Sequence, residues 1–260
     1  MSYDNYNYQL CQDMDQIGEP AAENLVGFKF LLGVTEVVGL VLIILMIIWT
    51  KNFQGGFAWT DNLTLQFNWH PLLMTIGLVF LYGNGMLIYR SQRTVRKRRL
   101  KLLHGGIMIF TLVLTVVALI AVFDSHNLKN PPTPNMYSLH SWVGLSSVIL
   151  FACQWLAGFI SFLFPGLHVS IRSAYLPIHV YFGTAGFVGV IASCLIGLNE
   201  KAFFALEPKL YSQFVPEGIL INVMGLLFII FGGLTVYLVS HTGYKRQPRT
   251  EDDILLTGRQ

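Results

Sequence analysis

Four histidines, His70, His104, His140 and His179, fall between Phe67 and Asn199 of a 260-residue chain. Each sits near one end of its own apolar stretch. An unpaired imidazole in hydrocarbon costs several kcal/mol or so, and each ring therefore needs a hydrogen bond or a metal. Two neutral imidazole nitrogens approaching from opposite sides are what a six-coordinate haem iron requires. Such ligation leaves no open coordination position, which favours electron transfer over oxygen binding. For any one histidine, a hydrogen-bonded core residue or a member of a proton relay is the plainer account. Four of them in face-matched pairs argue for ligation.

The elements that must position these rings follow from composition. Hydrophobic residues make up 53% of the chain and charged residues 12%, against about 25% charged in soluble domains. No Asp, Glu, Lys or Arg occurs in the 28 residues between Asp61 and Arg90, or in the 22 from Leu102 to Phe123. About 20 apolar residues span a bilayer, so each run suffices. The stretch Asn130–Ile171 is equally free of charge, with Pro131, Pro132 and Pro134 confining its helix to Met136 onward. Ser173–Asn199 and Gly218–Tyr244 follow, and an earlier span, Leu25–Trp49, carries Lys29 and Glu36. The expected fold is an all-α membrane protein of six transmembrane helices, with a four-helix haem-binding core made by spans two to five. Residues 25–243 form one domain, flanked by a polar tail at 1–24 and a second tail at 244–260. The first tail is acidic and unlike a secretory signal, so span one acts as an uncleaved anchor. Glu36 is either paired inside the bundle or faces a neighbouring subunit. Cys11, Cys153 and Cys194 make no disulfide framework and no CxxC pattern.

Orientation follows from Lys and Arg, because positive loops stay in the cytoplasm. Arg90, Arg93, Arg96, Lys97, Arg98, Arg99 and Lys101 crowd the connection between spans two and three. With that connection inside, both termini are cytoplasmic. Arg172 and the tail cations Lys245, Arg246, Arg249 and Arg259 then lie inside too, leaving Lys51, Lys129, Lys201 and Lys209 outside. The basic loop is a topology signal that also touches anionic lipid, and it does not suggest nucleic acid. Asn62-Leu63-Thr64, a glycosylation acceptor pattern, falls on the outer face. His70 and His140 open spans two and four from outside, while His104 and His179 open spans three and five from the cytoplasm. Each pair thus comes from two helices, about one turn inside each span, and two irons so held lie roughly 20 Å apart along the normal. Glycines on the same spans, among them Gly85, Gly158 and Gly183, leave room for a flat macrocycle or simply for close helix packing. His126 cannot share a helix with His140 because prolines intervene, and His168 and His241 read as solvated.

At Phe67-Asn68-Trp69-His70-Pro71, Asn135-Met136-Tyr137-Ser138-Leu139-His140-Ser141-Trp142 and Pro177-Ile178-His179-Val180 the chain resembles the cytochrome b561 family of six-span, ascorbate-dependent transmembrane reductases. The resemblance runs from about Gly55 to Asn222. Within the family it is similar to the animal duodenal and lysosomal ferrireductases. Gly56-Phe57-Ala58-Trp59, Phe151-Ala152-Cys153-Gln154-Trp155 and Asn199-Glu200-Lys201 lean toward the lysosomal member.

The resemblance implies two b haems, an outer one ligated by His70 and His140 and an inner one by His104 and His179, the pairs that topology gives by itself. It implies a cytoplasmic ascorbate site at Lys97, Lys101 and Arg172, where three cations would attract a monoanion. Lys97 and Lys101 share a helix face if the helix of span three reaches back that far. An acceptor site at Phe123, His126 and Tyr137, for a ferric chelate or monodehydroascorbate, is implied on the outer side, and so is a homodimer. The expected function is one-electron transfer from cytoplasmic ascorbate through the two haems to that acceptor, a ferric reductase activity. A histidine-relay proton channel or transporter without haem is the alternative, and the lack of acidic partners in spans two to five speaks against it. A haem scaffold without turnover is opposed by the cation cluster beside the inner pair. Glu251-Asp252-Asp253-Ile254-Leu255-Leu256 looks like an acidic dileucine signal. It points to the late endosome or lysosome membrane, with the plasma membrane or secretory vesicles next.

Overall fold

Six helices carry the apolar runs: α1 (Phe28–Phe53), α2 (Leu63–Ser91), α3 (Lys97–Asn127), α4 (Leu139–Leu163), α5 (Val169–Glu207) and α6 (Pro216–Ser240). The shortest has 25 residues, about 37 Å at 1.5 Å per residue, which exceeds the roughly 30 Å hydrocarbon core of a bilayer. The computed structural model describes residues 25–246, and no strand occurs among them. The protein is an all-α, multi-pass membrane protein. The acidic stretch at 1–24 and the sorting pattern at 251–256 lie outside the described residues.

Local chemistry sets the helix ends. Ser138 accepts a bond from Ser141 N at 3.3 Å while Ser141 Oγ accepts from Ser138 N at 3.2 Å. This reciprocal cap starts α4 at Leu139 rather than at Met136, which holds a left-handed φ of 56°. Pro216 occupies the first turn of α6, where its missing N–H costs nothing. Asn62 accepts bonds from Thr64 N and Leu65 N at 3.1 and 3.2 Å and so caps the start of α2. Span one runs from Phe28 to Phe53, shifted outward from the expected Leu25–Trp49, because nothing between Trp49 and Phe53 breaks the helix.

Helix α2 lies at the centre, touching α1, α3, α5 and α6, while α4 packs along α5 and α6 along α1. It is wound more loosely from Thr75 to Leu81, as a π-helical stretch. At mid-height Tyr82 donates to the Gly183 carbonyl at 2.6 Å and packs edge-on against Phe151 and Phe187, at 4.7 and 5.4 Å between ring centres. All three rings are buried. On the outside Val37, Ile44 and Leu226 remain 61%, 54% and 61% exposed, an apolar belt that suits lipid rather than water. Glu36 is half-buried and accepts from Asn84 Nδ2 at 3.2 Å, so of its two readings the pairing within the bundle holds.

After α6 the chain doubles back. Arg90 donates to the His241 carbonyl at 2.6 Å, Arg93 to the Tyr244 carbonyl at 2.8 Å, and the Tyr244 hydroxyl to the Val26 carbonyl at 3.0 Å. Both described ends therefore meet at the end of the bundle that carries the basic connection, as an even number of spans requires. This fold-back corrects one expectation: His241 is half-buried, its ring 4.2 Å from that of Tyr244, and not solvated. His168 is exposed, as read.

Candidate functional site

The four histidines meet in two pairs. The ring centres of His70 (α2) and His140 (α4) are 6.1 Å apart with planes at 88°, and those of His104 (α3) and His179 (α5) are 6.4 Å apart at 73°. His179 lies ten residues inside α5, deeper than the one turn expected, because that helix starts at Val169. Three of the rings are fixed from behind. His70 Nδ1 faces the Ala118 carbonyl at 3.3 Å, His104 Nδ1 the Gly85 carbonyl at 2.8 Å, and His140 Nδ1 the Ser193 carbonyl at 2.9 Å. A carbonyl only accepts, so each of these rings carries its proton on Nδ1 and leaves the Nε2 lone pair free. The buried Nδ1 of His179 has no such partner.

Glycines shape the ring seats. A Cβ on Gly197 would stand 2.6 Å from His140 Nδ1, and one on Gly158 would stand 2.9 Å from His179 Cε1. Gly183, which lines the inner cavity, faces open space. Ser193 and Gly197 escape sequence reasoning altogether, since their role depends on the register of α5 against α4.

Each pair opens into its own cavity. The outer one, about 370 Å³, is lined by His70, His140, Phe123, His126 and Tyr137, so the expected acceptor residues do come together. His126 Nδ1 bonds to Asn135 Oδ1 at 2.9 Å, and Asn135 Nδ2 bonds to Asn127 Oδ1 at 2.6 Å, which fixes the imidazole at the rim. Lys129, Glu200 and Lys201 line the same cavity and were not anticipated there. The inner one, about 550 Å³, is lined by His104 and His179 together with Lys97, Lys101 and Arg172. Helix α3 does begin at Lys97, which puts Lys97 and Lys101 one turn apart on one face. Arg90, Lys245 and Arg246 join them, the last two carried in by the fold-back after α6.

An iron bound by two imidazole nitrogens at about 2 Å each, with each ring centre about 1.2 Å behind its nitrogen, sets the two centres about 6.4 Å apart. The observed 6.1 and 6.4 Å match this within a few tenths of an ångström. The donor set also fits: the paired imidazoles, three of them of fixed tautomer, have no third His, Cys, Asp or Glu gathered beside them among the described residues, as a small-ion cage would need.

A six-helix membrane protein with two edge-on imidazole pairs, one toward each end of the bundle, is the class this architecture defines. Residues 69–205 match the family described as eukaryotic cytochrome b561, and the chain belongs to that family. It is 43% identical to the human (Homo sapiens) transmembrane ascorbate-dependent reductase CYB561, over 92% of this chain and 93% of that protein. It is 44% identical to the Bos taurus protein of the same name, over 85% of this chain and 86% of the relative. Identity to the plasma membrane ascorbate-dependent reductase CYBRD1 of Xenopus laevis is 42%, over 82% of this chain and 75% of that protein. Membership of a cytochrome b family brings b-type haem.

Proposed function

We propose that this chain is a transmembrane ascorbate-dependent reductase, an oxidoreductase that takes single electrons from cytoplasmic ascorbate. It delivers them on the extracellular or lumenal side to a ferric chelate or to monodehydroascorbate. The observation that carries the reading is the coincidence of two imidazole pairs at iron-bridging distance with two separate cavities at opposite ends of the bundle. His70 and His140 would hold an outer b haem, and His104 and His179 an inner one. When bound, the haems supply one-electron chemistry between ferric and ferrous iron.

The chain does the rest. Lys97, Lys101 and Arg172 attract the ascorbate monoanion and orient it in the inner cavity. The carbonyls of Gly85, Ala118 and Ser193 hold the ligand tautomers. Tyr82 and Phe151 form part of the wall of the inner cavity, and the buried Phe187 packs against Tyr82 behind it. At the outer rim His126, anchored by Asn135, keeps Nε2 for a metal or hydroxyl of the acceptor, between Phe123 and Tyr137.

The Lys and Arg distribution supports the orientation, with both tails, 1–24 and 244–260, cytoplasmic around the six-helix unit 25–243. An electron leaving a negative cytoplasm gains about 2.3 kcal/mol per 100 mV if it crosses the whole field. The dileucine pattern supports a late endosomal or lysosomal membrane. A plasma membrane location is the second reading, carried by the name of the Xenopus relative. Assembly as a homodimer completes the proposal.

The test is vesicles loaded with ascorbate, containing the protein, with ferric citrate and a ferrous-specific dye outside. Wild-type protein develops colour, and His104→Ala and His179→Ala do not. Wild-type rates in those two variants, or a purified protein without a haem spectrum, would sink the reading.

A further inference from the structure

On α5, Ser193, Gly197 and Lys201 recur every four residues and share one helix face. The first two hold the His140 ring, one by its carbonyl and the other by its missing side chain. Lys201 therefore stands about 6 Å beyond that ring along the helix. Its Nζ lies 4.7 Å from the centre of the Phe67 ring, which is itself 6.1 Å from the ring of His70. The ammonium thus links α5 to α2 through Phe67, the ring next to His70, in the wall of the outer cavity. Lys129, just past α3, lines the same cavity within electrostatic reach of Lys201.

Neither ammonium has a carboxylate within salt-bridge distance among the described residues. Glu217, whose charge acts on Lys201, is already engaged by Trp49 Nε1 at 2.9 Å and Gln54 Nε2 at 2.5 Å. Glu200 also lines the cavity, so its wall carries two cations and one anion. A half-buried ammonium against an aromatic face is poorly hydrated, and an anion replaces its remaining water at low cost.

We propose that Lys201, supported by Lys129, makes the outer cavity selective for a small oxygen-rich anion as electron acceptor. The inference rests on the acceptor-site reading above and adds the charge of the acceptor. In the step concerned, one electron passes to the anion: a ferric chelate becomes the ferrous chelate, or the monodehydroascorbate radical anion takes one electron and one proton to become ascorbate. No covalent bond to the protein forms. Lys201 is the specificity-determining contact, drawing the anion to the mouth closest to the imidazole pair.

The experiment uses full-length haem-loaded protein, reduced with dithionite and mixed rapidly with acceptors at low ionic strength. Ferric citrate is the anion, tris(maltolato)iron(III) the neutral reference and hexaammineruthenium(III) the cation. The quantity read is the ratio of the citrate rate to the maltolate rate, with haem per chain measured alongside. We expect Lys201→Gln to lower this ratio about tenfold, Lys129→Gln to lower it by a smaller factor, and Lys201→Arg to keep it. In the wild type, added salt should shrink the ratio, because the Debye length falls from about 30 Å at 0.01 M to about 8 Å at 0.15 M. The cation should react no slower in Lys201→Gln than in the wild type. Monodehydroascorbate, generated in place, separates the two sources: a fall for it as well means small anions in general, and a fall for citrate alone means ferric chelates.

An unchanged ratio overturns the proposal. Equal slowing with both acceptors, accompanied by haem loss, would do the same by making Lys201 an anchor for haem carboxylates. Chemical reduction keeps the two readings apart. Failure of ascorbate to reduce the protein would remove the donor reading and leave the ratio intact.

Discussion

Replacing Gly197 by alanine adds one methyl group at the seat of His140. The new Cβ would lie 2.6 Å from Nδ1 and 2.7 Å from Cε1 of the imidazole, where ordinary contact needs about 3.5 Å or more. Helix α5 continues on both sides of the site, so the ring is what withdraws, by about 1 Å. It then leaves the Ser193 carbonyl, now 2.9 Å away, and alters the 6.1 Å spacing to His70. Overpacking costs about 1–3 kcal/mol and the lost bond about 1 kcal/mol. The sum, about 2–4 kcal/mol, corresponds to a roughly 30- to 700-fold weaker hold on the outer haem. Alanine is the better helix former by about 1 kcal/mol, so the helix is not weakened and the defect stays at the ring. The assay is haem per chain after incubation with apomyoglobin as haem acceptor, with a reduced-minus-oxidised spectrum. On the two-haem reading proposed above, the variant should lose one haem while the other is still reduced by ascorbate. Gly197→Ala protein that retained both haems at wild-type potentials would refute the assignment of His140 as a ligand.

The mirror substitution, Gly158→Ala, puts its Cβ 2.9 Å from His179 Cε1 and should instead release the inner haem, abolishing reduction by ascorbate while dithionite still reduces the outer site. Lys101→Ala and Arg172→Ala should each raise the KM for ascorbate about tenfold, with a shallower salt dependence in initial-rate assays, because each removes one cation from the inner cavity. Tyr82→Phe removes the 2.6 Å bond between α2 and α5 and should cost about 1 kcal/mol, read as a lower Tm with haem content preserved. Asn62→Asp should keep the helix cap and lose an N-linked glycan, seen as the disappearance of an endoglycosidase-sensitive shift in electrophoretic mobility.

The pairing of the histidines was legible because it depends on alternation alone. Once the basic connection fixes one end, His104 and His179 must share it and His70 and His140 must share the other. What seats the rings was not legible. The Ser193 carbonyl serves a ring 53 residues away in sequence, and only the register of α4 against α5 reveals it. The glycines look alike in the sequence but differ in space. Gly158 gives way to an imidazole, a Cβ on Gly83 would meet the Phe231 ring at 3.0 Å, and Gly183 faces open volume. The cations after α6 were counted as a topology signal, yet the fold-back through Tyr244 brings Lys245 and Arg246 to the inner cavity. That turn is set by contacts with Phe28 and Arg93, far away in sequence.

The bonds that seat the rings also bear on the proton-relay alternative. A relaying imidazole must accept a proton on one nitrogen and release one from the other, toward a group that can pass it on. In three of the four rings Nδ1 donates to a backbone carbonyl, which neither gains nor passes a proton at ordinary pH. Each of these rings therefore has one working nitrogen, and the nearest imidazole is its pair partner, 6.1 or 6.4 Å away between ring centres. Tyr82, Phe151 and Phe187 form a buried aromatic cluster beside the inner cavity, where the one hydroxyl is committed to the Gly183 carbonyl. Phenyl rings carry no exchangeable proton, so this cluster offers no relay group beyond that hydroxyl. Electrons need none, since transfer through packed protein requires no chain of exchangeable hydrogens. An arrangement that fixes three tautomers and backs the inner cavity with a buried aromatic cluster suits ligation and electron transfer, and is poorly matched to proton conduction.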